Sequence, residues 1–389
     1  MLYTVNHSDK GLIEYRESKR WLWSLVILFI MMPLPVIAIY LEYETPWVLI
    51  APLFVTYLLL PVLDLLVGTD KNNPPEELVA KLEADPHYNT LLRLCIPAHV
   101  IALVASAWLV GTQDIGIVFV LAFAAVMGMY SGLSINTAHE IGHKNTKAER
   151  FLSRVALAVT GYGHFCIEHN VGHHRDVATP LDPASSRMGE SIYRFILREI
   201  PGAAKRGWLE ESKRLKKRNQ KVWSLDNHIL QSYLMTLVLQ GGLIILFGWI
   251  LIPFFLVHNF FGWFQLTSAN YIEHYGLLRE KKSNGRYERC QPHHSWNANH
   301  YVSNLLLFQL QRHSDHHANP SRSYQSLRSL ESLPELPTSY FGMYVLAYIP
   351  PLWFRVMNER VLNVPHINGD LDKVNIDPKH EAKIRKQYG

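Results

Sequence analysis

The sequence is poor in cysteine, and the few cysteines it has are widely separated. Its 389 residues contain three of them, Cys95, Cys166 and Cys290, and no two form a CxxC pair. A disulfide framework and a zinc ribbon both need paired cysteines, so neither is indicated. The same spacing excludes a cysteine-ligated iron centre built into this chain. Any electrons for redox chemistry must therefore come from another protein.

Charged residues are also scarce, at 18% of the chain, and the formal net charge is only +5. The exception is the stretch 205–221, which contains eight Lys or Arg and two Glu. A basic amphipathic helix of this kind is typical of a surface that lies on anionic lipid headgroups. A docking patch for an acidic electron carrier is the second interpretation, and it stays open. Nucleic-acid binding is not expected, because the basic stretch lies between predicted membrane segments.

Apolar residues are gathered into long runs, and six of these are long enough to cross a bilayer as a helix. The predicted spans are residues 21–41, 46–67, 94–110, 115–137, 229–251 and 253–271. Three of the links between them are very short and contain no Lys or Arg. The N-terminus, residues 68–93, residues 138–228 and everything after residue 271 are long and basic. By the positive-inside rule these long segments, and with them both termini, are cytoplasmic.

The spans divide the chain into three parts. We predict a cytoplasmic N-terminal segment at 1–20 and a six-helix transmembrane domain at 21–330, with cytoplasmic insertions at 138–228 and 272–330. Residues 331–389 form a cytoplasmic or interfacial C-terminal segment. Its apolar stretch 340–354 is interpreted as buried or interfacial, because a seventh span would leave the C-terminus on the opposite side. The polar tail from about Asn358 is expected to be a surface appendage.

Nine of the twenty histidines fall into four tight groups, each directly after a predicted span or within a cytoplasmic segment. The groups read HEIGH at 139–143, EHNVGHH at 168–174, NYIEHYGL at 270–277 and LQRHSDHH at 310–317. Helix residues three or four apart share a face, so their imidazoles can converge on one metal. This spacing occurs in the pairs His139/His143, His169/His173, His313/His316 and His313/His317.

Two of the groups end in adjacent histidines, and this step has its own meaning. On a helix the second of two adjacent residues is rotated by roughly 100°, enough to reach a neighbouring metal. Nine imidazoles are too many for one ion, so we expect two metals that share them as four and five. Imidazole suits Zn, Cu, Fe or Ni, and the ligand type alone leaves the metal open.

Two other classes of protein compete with this interpretation. The first group matches HExxH, the signature of zinc metalloproteases, in which the glutamate is the general base. A protease needs three protein ligands, however, and would leave six clustered histidines without a role. A transporter or a non-enzymatic metal-binding membrane protein would place ionisable groups at mid-bilayer. Here the histidines stand at the cytoplasmic ends of the spans, which favours a site served by a soluble electron donor.

The four histidine groups resemble the boxes of the membrane di-iron desaturases and hydroxylases, and most closely those of the alkane 1-monooxygenases. Residues 139–144, 168–174 and 310–317 are similar to three boxes of that family. Residues 270–277 match its NYxEHYGL box, which ordinary desaturases lack. The likeness extends from the first span to about Leu330. Xylene side-chain monooxygenases share much of the pattern and are the nearest alternative.

The resemblance implies an all-α integral membrane protein of six transmembrane helices, with a cytoplasmic helical cap that carries a histidine-rich di-iron site, in a bacterial inner membrane. The implied reaction converts medium-chain n-alkanes, arriving from the bilayer, to 1-alcohols with O2. Electrons would come from a separate rubredoxin, itself reduced by an NAD(P)H-dependent rubredoxin reductase. A xylene-type side-chain monooxygenase or a lipid desaturase or hydroxylase is the alternative activity. The implied ligands of the two iron ions are His139, His143, His169, His173, His174, His274, His313, His316 and His317.

Polar residues beside the histidines are candidates to orient the ligand rings by hydrogen bonds. Direct ligation or proton delivery by the carboxylates is the alternative. The candidates are Glu140, Glu168, Glu273, Asp315, Asn270 and, at the end of the second span, Asp64.

One face of the fourth span is a candidate for the substrate channel. Four small or apolar residues precede His139 on that face, namely Ala125, Gly128, Gly132 and Ile135. A linear hydrocarbon could lie along them with its methyl end at the metal. Gly128 and Gly132 also form a GxxxG motif, which commonly packs helices against each other. The sequence favours helix packing slightly.

Overall fold

The computed structural model describes residues 1–144 and 146–389, most of which are helical. The helices of the apolar part are Leu22–Ser24, Leu25–Ile30, Pro33–Tyr43, Pro46–Ile50, Ala51–Phe54, Val55–Leu59, Leu60–Val67, Pro86–Thr112, Ile117–Gly142, His228–Phe247 and Leu251–His274. The remaining helices are Glu76–Leu78, Val79–Ala84, Lys147–Ala158, Phe165–Ile167, Glu168–His173, His174–Asp176, Ile192–Lys217, Pro292–His294, Tyr301–Leu306, His313–Ala318, Tyr324–Ser326, Tyr340–Ala347, Pro350–Leu362, Leu371–Lys373 and Glu381–Tyr388.

Several helices have the length and composition of membrane spans. Within the described ranges, four are long and apolar enough to cross a bilayer: Pro46–Val67, Pro86–Thr112, Ile117–Gly142 and His228–Phe247. A fifth candidate is the pair Leu22–Ile30 and Pro33–Tyr43, which is bent by 44°. The bend falls at Pro33, because proline lacks the amide hydrogen that would continue the first helix. Side chains such as Ile245, 86% exposed, point outward from these helices, as in a membrane protein.

The sixth predicted span forms the helix Leu251–His274 but is less apolar than the others. It carries His258, Asn259 and Gln265 along its length. These polar groups are paired inside the protein, since the His258 ring lies 2.8 Å from Ser131 Oγ and Asn259 exchanges hydrogen bonds with Gln240. They lower the mean hydropathy of the helix without facing lipid. Six spans therefore stay a prediction.

The helices Ile117–Gly142 and Leu251–His274 lie in close contact and carry the first and third histidine boxes at their C-terminal ends. A Cβ placed on Gly128 would lie 2.2 Å from the carbonyl oxygen of His258, so only glycine allows this approach. A Cβ on Gly262, in the second helix, would lie 3.4 Å from the carbonyl oxygen of Gly128 in the first helix. This backbone contact brings the ends of the two helices, and the histidines on them, to one place.

The N-terminal segment departs from the all-α prediction, because it forms an antiparallel hairpin of Leu2–His7 and Gly11–Arg16. Alternating apolar residues and a short turn favour this structure. Gly11, at φ 70° and opposite His7, accommodates a backbone conformation that most residues avoid. The hairpin packs on the helix Val79–Ala84 through Tyr3 and Leu82.

The C-terminal tail is part of the core, so its prediction as a surface appendage was wrong. Val361, Ile367 and Leu371 are buried in the same apolar cluster as Trp353. Val374 also forms a β-bridge with Leu277, the last residue of the third histidine box. This packing could not be predicted from the sequence, because the apolar residues are scattered through a polar segment and no run is long enough to predict an amphipathic helix.

Candidate metal centre

All nine histidines of the four boxes meet in two neighbouring groups. The first histidine group contains His139, His143, His169, His174 and His316. The second contains His173, His274, His313 and His317. Within each group, one ring nitrogen of every member lies within 4.8 Å of those of the others. The expected division into five and four is therefore present in the geometry.

Local helix type decides which histidines share a group. His139 and His143 lie one α-helical turn apart and share the first group, as their spacing predicts. The prediction that His169 and His173 converge was wrong, because residues Glu168–His173 form a π-helix. In this π-helix the amide of His174 donates to the carbonyl of His169, five residues earlier. His169 shares the first group with His174, and His173 turns to the second group.

The adjacent histidines divide as expected from a rotation of roughly 100° per residue. His173 belongs to the second group and His174 to the first. Likewise His316 lies in the first group and His317 in the second, where it joins His313 one turn earlier. Each of these two boxes therefore contributes to both groups and ties them together.

The spacing of the ring nitrogens fits a metal ion. His139 Nε2 lies 3.0 Å from His316 Nε2, and His317 Nε2 lies 2.9 Å from His313 Nε2. Two nitrogens at right angles, each about 2.1 Å from a metal, would be separated by about 3.0 Å. His143 Nε2 is buried and has no hydrogen-bond partner among the described residues. A bound cation would satisfy this nitrogen as well.

Burial also favours the protonation state that a ligand needs. It lowers the pKa of His143 to about 4 and lowers the pKa of His174, His316 and His317 well below the usual value. These rings are therefore neutral at pH 7 and each offers a lone pair. Neutral imidazoles in such number fit a pair of transition-metal ions, and iron is among the metals that imidazole suits.

A carboxylate outside the four boxes orients one of the rings. Asp182 Oδ2 lies 2.9 Å from His173 Nδ1, and the same carboxylate accepts hydrogen bonds from Ser185 and Arg206. Burial alone would raise the pKa of Asp182, but His173 and Arg206 outweigh it and hold that pKa below the usual value. A histidine held in this way by a carboxylate is a common partner of a metal. Asp182 is not recognisable as a site residue from the sequence, because it stands nine residues from His173 and outside the four boxes.

Of the predicted orienting residues, Glu273 faces the histidines directly. Its Oε2 lies 3.3 Å from His313 Nε2, and its Oε1 has no hydrogen-bond partner in the described part of the chain. The nitrogen concerned is the one that points to the centre of the second group. The position therefore suits either a metal ligand or a group that holds a proton beside the metal.

The other candidates hold the surrounding framework. Glu140 accepts from the Tyr324 amide, Glu168 pairs with Arg206, and Asp315 pairs with Arg322 and Arg328. Asn270 donates to Glu199. Asp64 accepts from the amides of Val302 and Ser303, where it holds the start of the helix Tyr301–Leu306. Their contacts place these residues around the site rather than against the rings.

A narrow apolar cavity of about 70 Å³ leads to both groups. It reaches His139 and His169 of the first group and His313 of the second. Its wall on the helix Ile117–Gly142 is formed by Met129, Tyr130, Gly132, Leu133 and Asn136.

Of the four residues on the predicted channel face, only Gly132 lines this cavity. The lining face is rotated from the predicted one by about one residue, or 100°. Ala125 and Ile135 fall outside the wall, and Gly128 is used for packing against the backbone of His258. Gly132 lines the cavity and also packs against the helix Leu251–His274, because a Cβ there would lie 2.7 Å from the Cβ of Gln265.

A second, wider cavity of about 500 Å³ reaches the first group from another side. His143 and His174 line it, together with Arg154, Arg214 and Arg218. Arg214 and Arg218 belong to the basic stretch 205–221 noted in the sequence. The stretch thus flanks a polar opening next to the histidines.

Nine converging histidines at the end of apolar helices define a histidine-rich membrane oxidoreductase of the desaturase and hydroxylase class. The sequence pattern of the fatty acid desaturase family matches residues 115–347. The chain is 52% identical over 385 residues to alkane 1-monooxygenase 1 of Alcanivorax borkumensis, covering 98% of this chain and 94% of the relative. It is 53% identical over 379 residues to the alkane 1-monooxygenase of Ectopseudomonas oleovorans, covering 97% and 93%. The chain belongs to the alkane 1-monooxygenase family.

The xylene enzymes are more distant. The xylene/toluene monooxygenase hydroxylase component of Pseudomonas putida is 27% identical over 227 residues, which is 58% of this chain and 59% of the relative. The alternative activity drawn from those enzymes is therefore not favoured.

Proposed function

We propose that this protein hydroxylates the terminal carbon of medium-chain n-alkanes, with O2 and two electrons from rubredoxin. The balanced reaction is R–CH3 + O2 + 2 e⁻ + 2 H⁺ → R–CH2OH + H2O. The observation that carries the proposal is the meeting of nine imidazoles, in groups of five and four, with the inner end of an apolar cavity. Family membership supports the same activity.

The two histidine groups would hold one iron ion each, and this iron pair would supply the oxidising power that side chains lack. An unactivated C–H bond offers no acidic hydrogen and no leaving group, so acid–base catalysis by side chains cannot break it. The chain's own part is to hold the alkane, exclude water and keep the ligand rings in place. Asp182 fixes the His173 ring, and Glu273 holds a carboxylate beside the second group.

The length of the cavity wall suits a linear hydrocarbon. From Met129 to His139 the helix advances ten residues, or about 15 Å. An extended chain advances roughly 1.2 Å per bond, since the three bonds of a peptide unit span about 3.3–3.6 Å. The wall is therefore as long as on the order of twelve bonds of an extended alkane whose methyl end lies at the histidines.

We propose the topology that the sequence predicts, with six spans and a cytoplasmic cap in a bacterial inner membrane. The bent helix pair and the helix Leu251–His274 would complete the four spans that meet the length and hydropathy criteria. Both termini and the histidine boxes would then lie on the cytoplasmic side, where the basic segments belong. A soluble electron donor, itself reduced by an NAD(P)H-dependent rubredoxin reductase, has access to that side.

We place the docking site for rubredoxin at the wide cavity beside the first group. Arg154, Arg214 and Arg218 would attract an acidic protein, and His143 and His174 lie at the inner end. Arg218→Glu should raise the KM for rubredoxin, and added salt should weaken the wild-type interaction. Lys373→Glu, at a half-exposed position on the C-terminal segment, is the matched control and should leave that KM unchanged. An equal effect of both substitutions would contradict the assignment.

The activity is tested with membranes that contain the protein, rubredoxin, rubredoxin reductase, NADH and octane. We expect 1-octanol from the wild type and none from a variant with both His274→Ala and His313→Ala. An olefin as the product would instead support the desaturase alternative. No oxygenated product from iron-loaded protein would contradict the proposal.

A further inference from the structure

A third group of histidines lies outside the two groups at the candidate metal centre. His293 and His294 belong to the short helix Pro292–His294, and His366 follows the helix Pro350–Leu362. The centroid of the His293 ring lies 4.2 Å from that of His294 and 4.3 Å from that of His366. One nitrogen of each ring lies within 4.8 Å of the other two. Two distant parts of the chain thus bring three imidazoles together.

The ring nitrogens of this third histidine group are poorly satisfied. The side chain of His294 is 1% exposed, and its Nε2, although 3.3 Å from Glu288 Oε1, forms no hydrogen bond of normal geometry with any residue in the ranges 1–144 and 146–389. Both ring nitrogens of His366 are buried and equally lack a partner there. Buried polar atoms without partners destabilise a fold, so native proteins rarely leave three of them in one place.

The rings are also in the right protonation state for ligands. Burial, together with the neighbouring imidazoles, lowers the pKa of His294 to about 2 and that of His366 to about 4. Burial lowers the pKa of His293 as well. Three neutral imidazoles in contact repel a proton but can share a divalent cation.

We propose that His293, His294 and His366 bind a third metal ion, a divalent transition metal of the zinc class. Three imidazoles are a common zinc ligand set, and a fourth ligand completes the tetrahedron. Glu288 is placed to supply it, because its Oε1 lies 3.3 Å from His294 Nε2. The closest alternatives to zinc are nickel and copper, which imidazole also suits.

One existing contact must change when the metal binds. The amide of Gln291 donates to His294 Nδ1 at 2.9 Å, so the hydrogen of this neutral ring lies on Nε2. A metal at Nε2 moves that hydrogen to Nδ1, and the Gln291 bond is released. A single neutral hydrogen bond is weak beside a coordinate bond to a divalent metal, so the exchange favours binding.

The position of the third group gives the metal a structural role. The segment that follows His294 is hydrogen-bonded to neighbours of two histidines of the second group. The Trp296 amide donates to the carbonyl of Glu273, next to His274, at 2.8 Å. The Oγ of Ser314, next to His313, donates to the Ser295 carbonyl at 3.2 Å. His366 comes from the C-terminal segment. A metal shared by the three rings therefore fastens that segment to the framework that carries His274 and His313.

The test is a measurement of metals per chain in the purified full-length protein, after incubation with zinc and removal of loosely bound ions. We expect two iron and one zinc per chain in the wild type. His366→Ala should lose the zinc and keep both irons, and His293→Ala should do the same. His7→Ala, in the N-terminal hairpin, is the matched control and should retain all three metals.

The possible results separate this site from the iron centre. Zinc that is absent from the wild type, or that is kept by both His366→Ala and His293→Ala, would overturn the proposal. If His366→Ala also lost its iron through misfolding, the more exposed His293→Ala would decide the question. Loss of iron from the wild type would contradict the proposed function but would leave the zinc stoichiometry as an independent result.

Discussion

We propose that the apolar cavity at the histidines holds the alkane, and its length then gives a quantitative expectation for the chain length of the substrate. Leu133 lies on the cavity wall, six residues or about 9 Å before His139, and Met129 lies about 15 Å before it. Leu133→Trp would fill the cavity at the nearer of these points and remove about 6 Å of usable length. At roughly 1.2 Å per bond, this is a loss of about five methylenes. The largest alkane that the variant accepts should therefore be shorter by about five carbons.

The assay compares 1-alcohol formation from octane and from dodecane in the same membranes, so that the ratio does not depend on expression. Leu133→Trp should retain octane turnover and lose most of the dodecane turnover. Leu121→Trp is the control, because Leu121 lies on the same helix and is 36% exposed outside the cavity wall. An unchanged octane-to-dodecane ratio in an iron-loaded Leu133→Trp variant would refute the assignment of the cavity.

Three further predictions concern buried ionisable side chains. Asp182→Asn removes the charge that orients a ligand of the second group, and we expect a loss of about 10- to 100-fold in iron affinity or turnover, measured by iron titration. Asp70→Ala leaves Lys19 and Arg312 buried without their shared carboxylate, and the free energy of unfolding should fall by about 3–5 kcal/mol in a denaturant titration. Burial raises the pKa of Glu199 to about 7 from 4.5, so the folded state binds more protons than the unfolded state in that interval. Wild-type stability should thus fall as pH rises from 4.5 through 7, and Glu199→Gln should be more stable than the wild type by up to about 3 kcal/mol at pH 8.

The first two of these predictions each have a control variant. Asp176→Asn changes a neighbouring carboxylate that pairs with Arg175, and iron affinity should not respond to it. Asp372→Ala alters an exposed ion pair and should leave stability within about 0.5 kcal/mol of the wild type. Equal stability of Glu199→Gln and the wild type from pH 5 to 8 would show that Glu199 is not held in its neutral form.

The sequence predicted the site more fully than the fold around it. Histidine spacing is a local property, so the four boxes, the division of their histidines into groups of five and four, and the separation of His173 from His174 could be deduced from helix geometry. The π-helix at Glu168–His173 could not be predicted, because no feature of its sequence distinguishes a π-helix, with hydrogen bonds five residues apart, from an α-helix, with hydrogen bonds four residues apart. That local difference reassigns His173 to the second group.

The remaining differences arise from contacts between distant segments. Asp182 reaches His173 only because the intervening loop folds back, and His366 joins His293 across more than seventy residues of sequence. The cavity wall also depends on how the helix Ile117–Gly142 is rotated against the helix Leu251–His274. The close contact at Gly128 fixes this rotation, and it turns Leu133 rather than Ile135 toward the apolar cavity.

The most direct test of the two-group metal centre is the iron stoichiometry of variants that disable one group at a time. Wild-type protein should hold two irons per chain. Replacement of His313 and His317 by alanine should leave one iron, held by the five histidines of the first group. Two irons in that double variant, or purified active protein that contains zinc and no iron, would contradict the account.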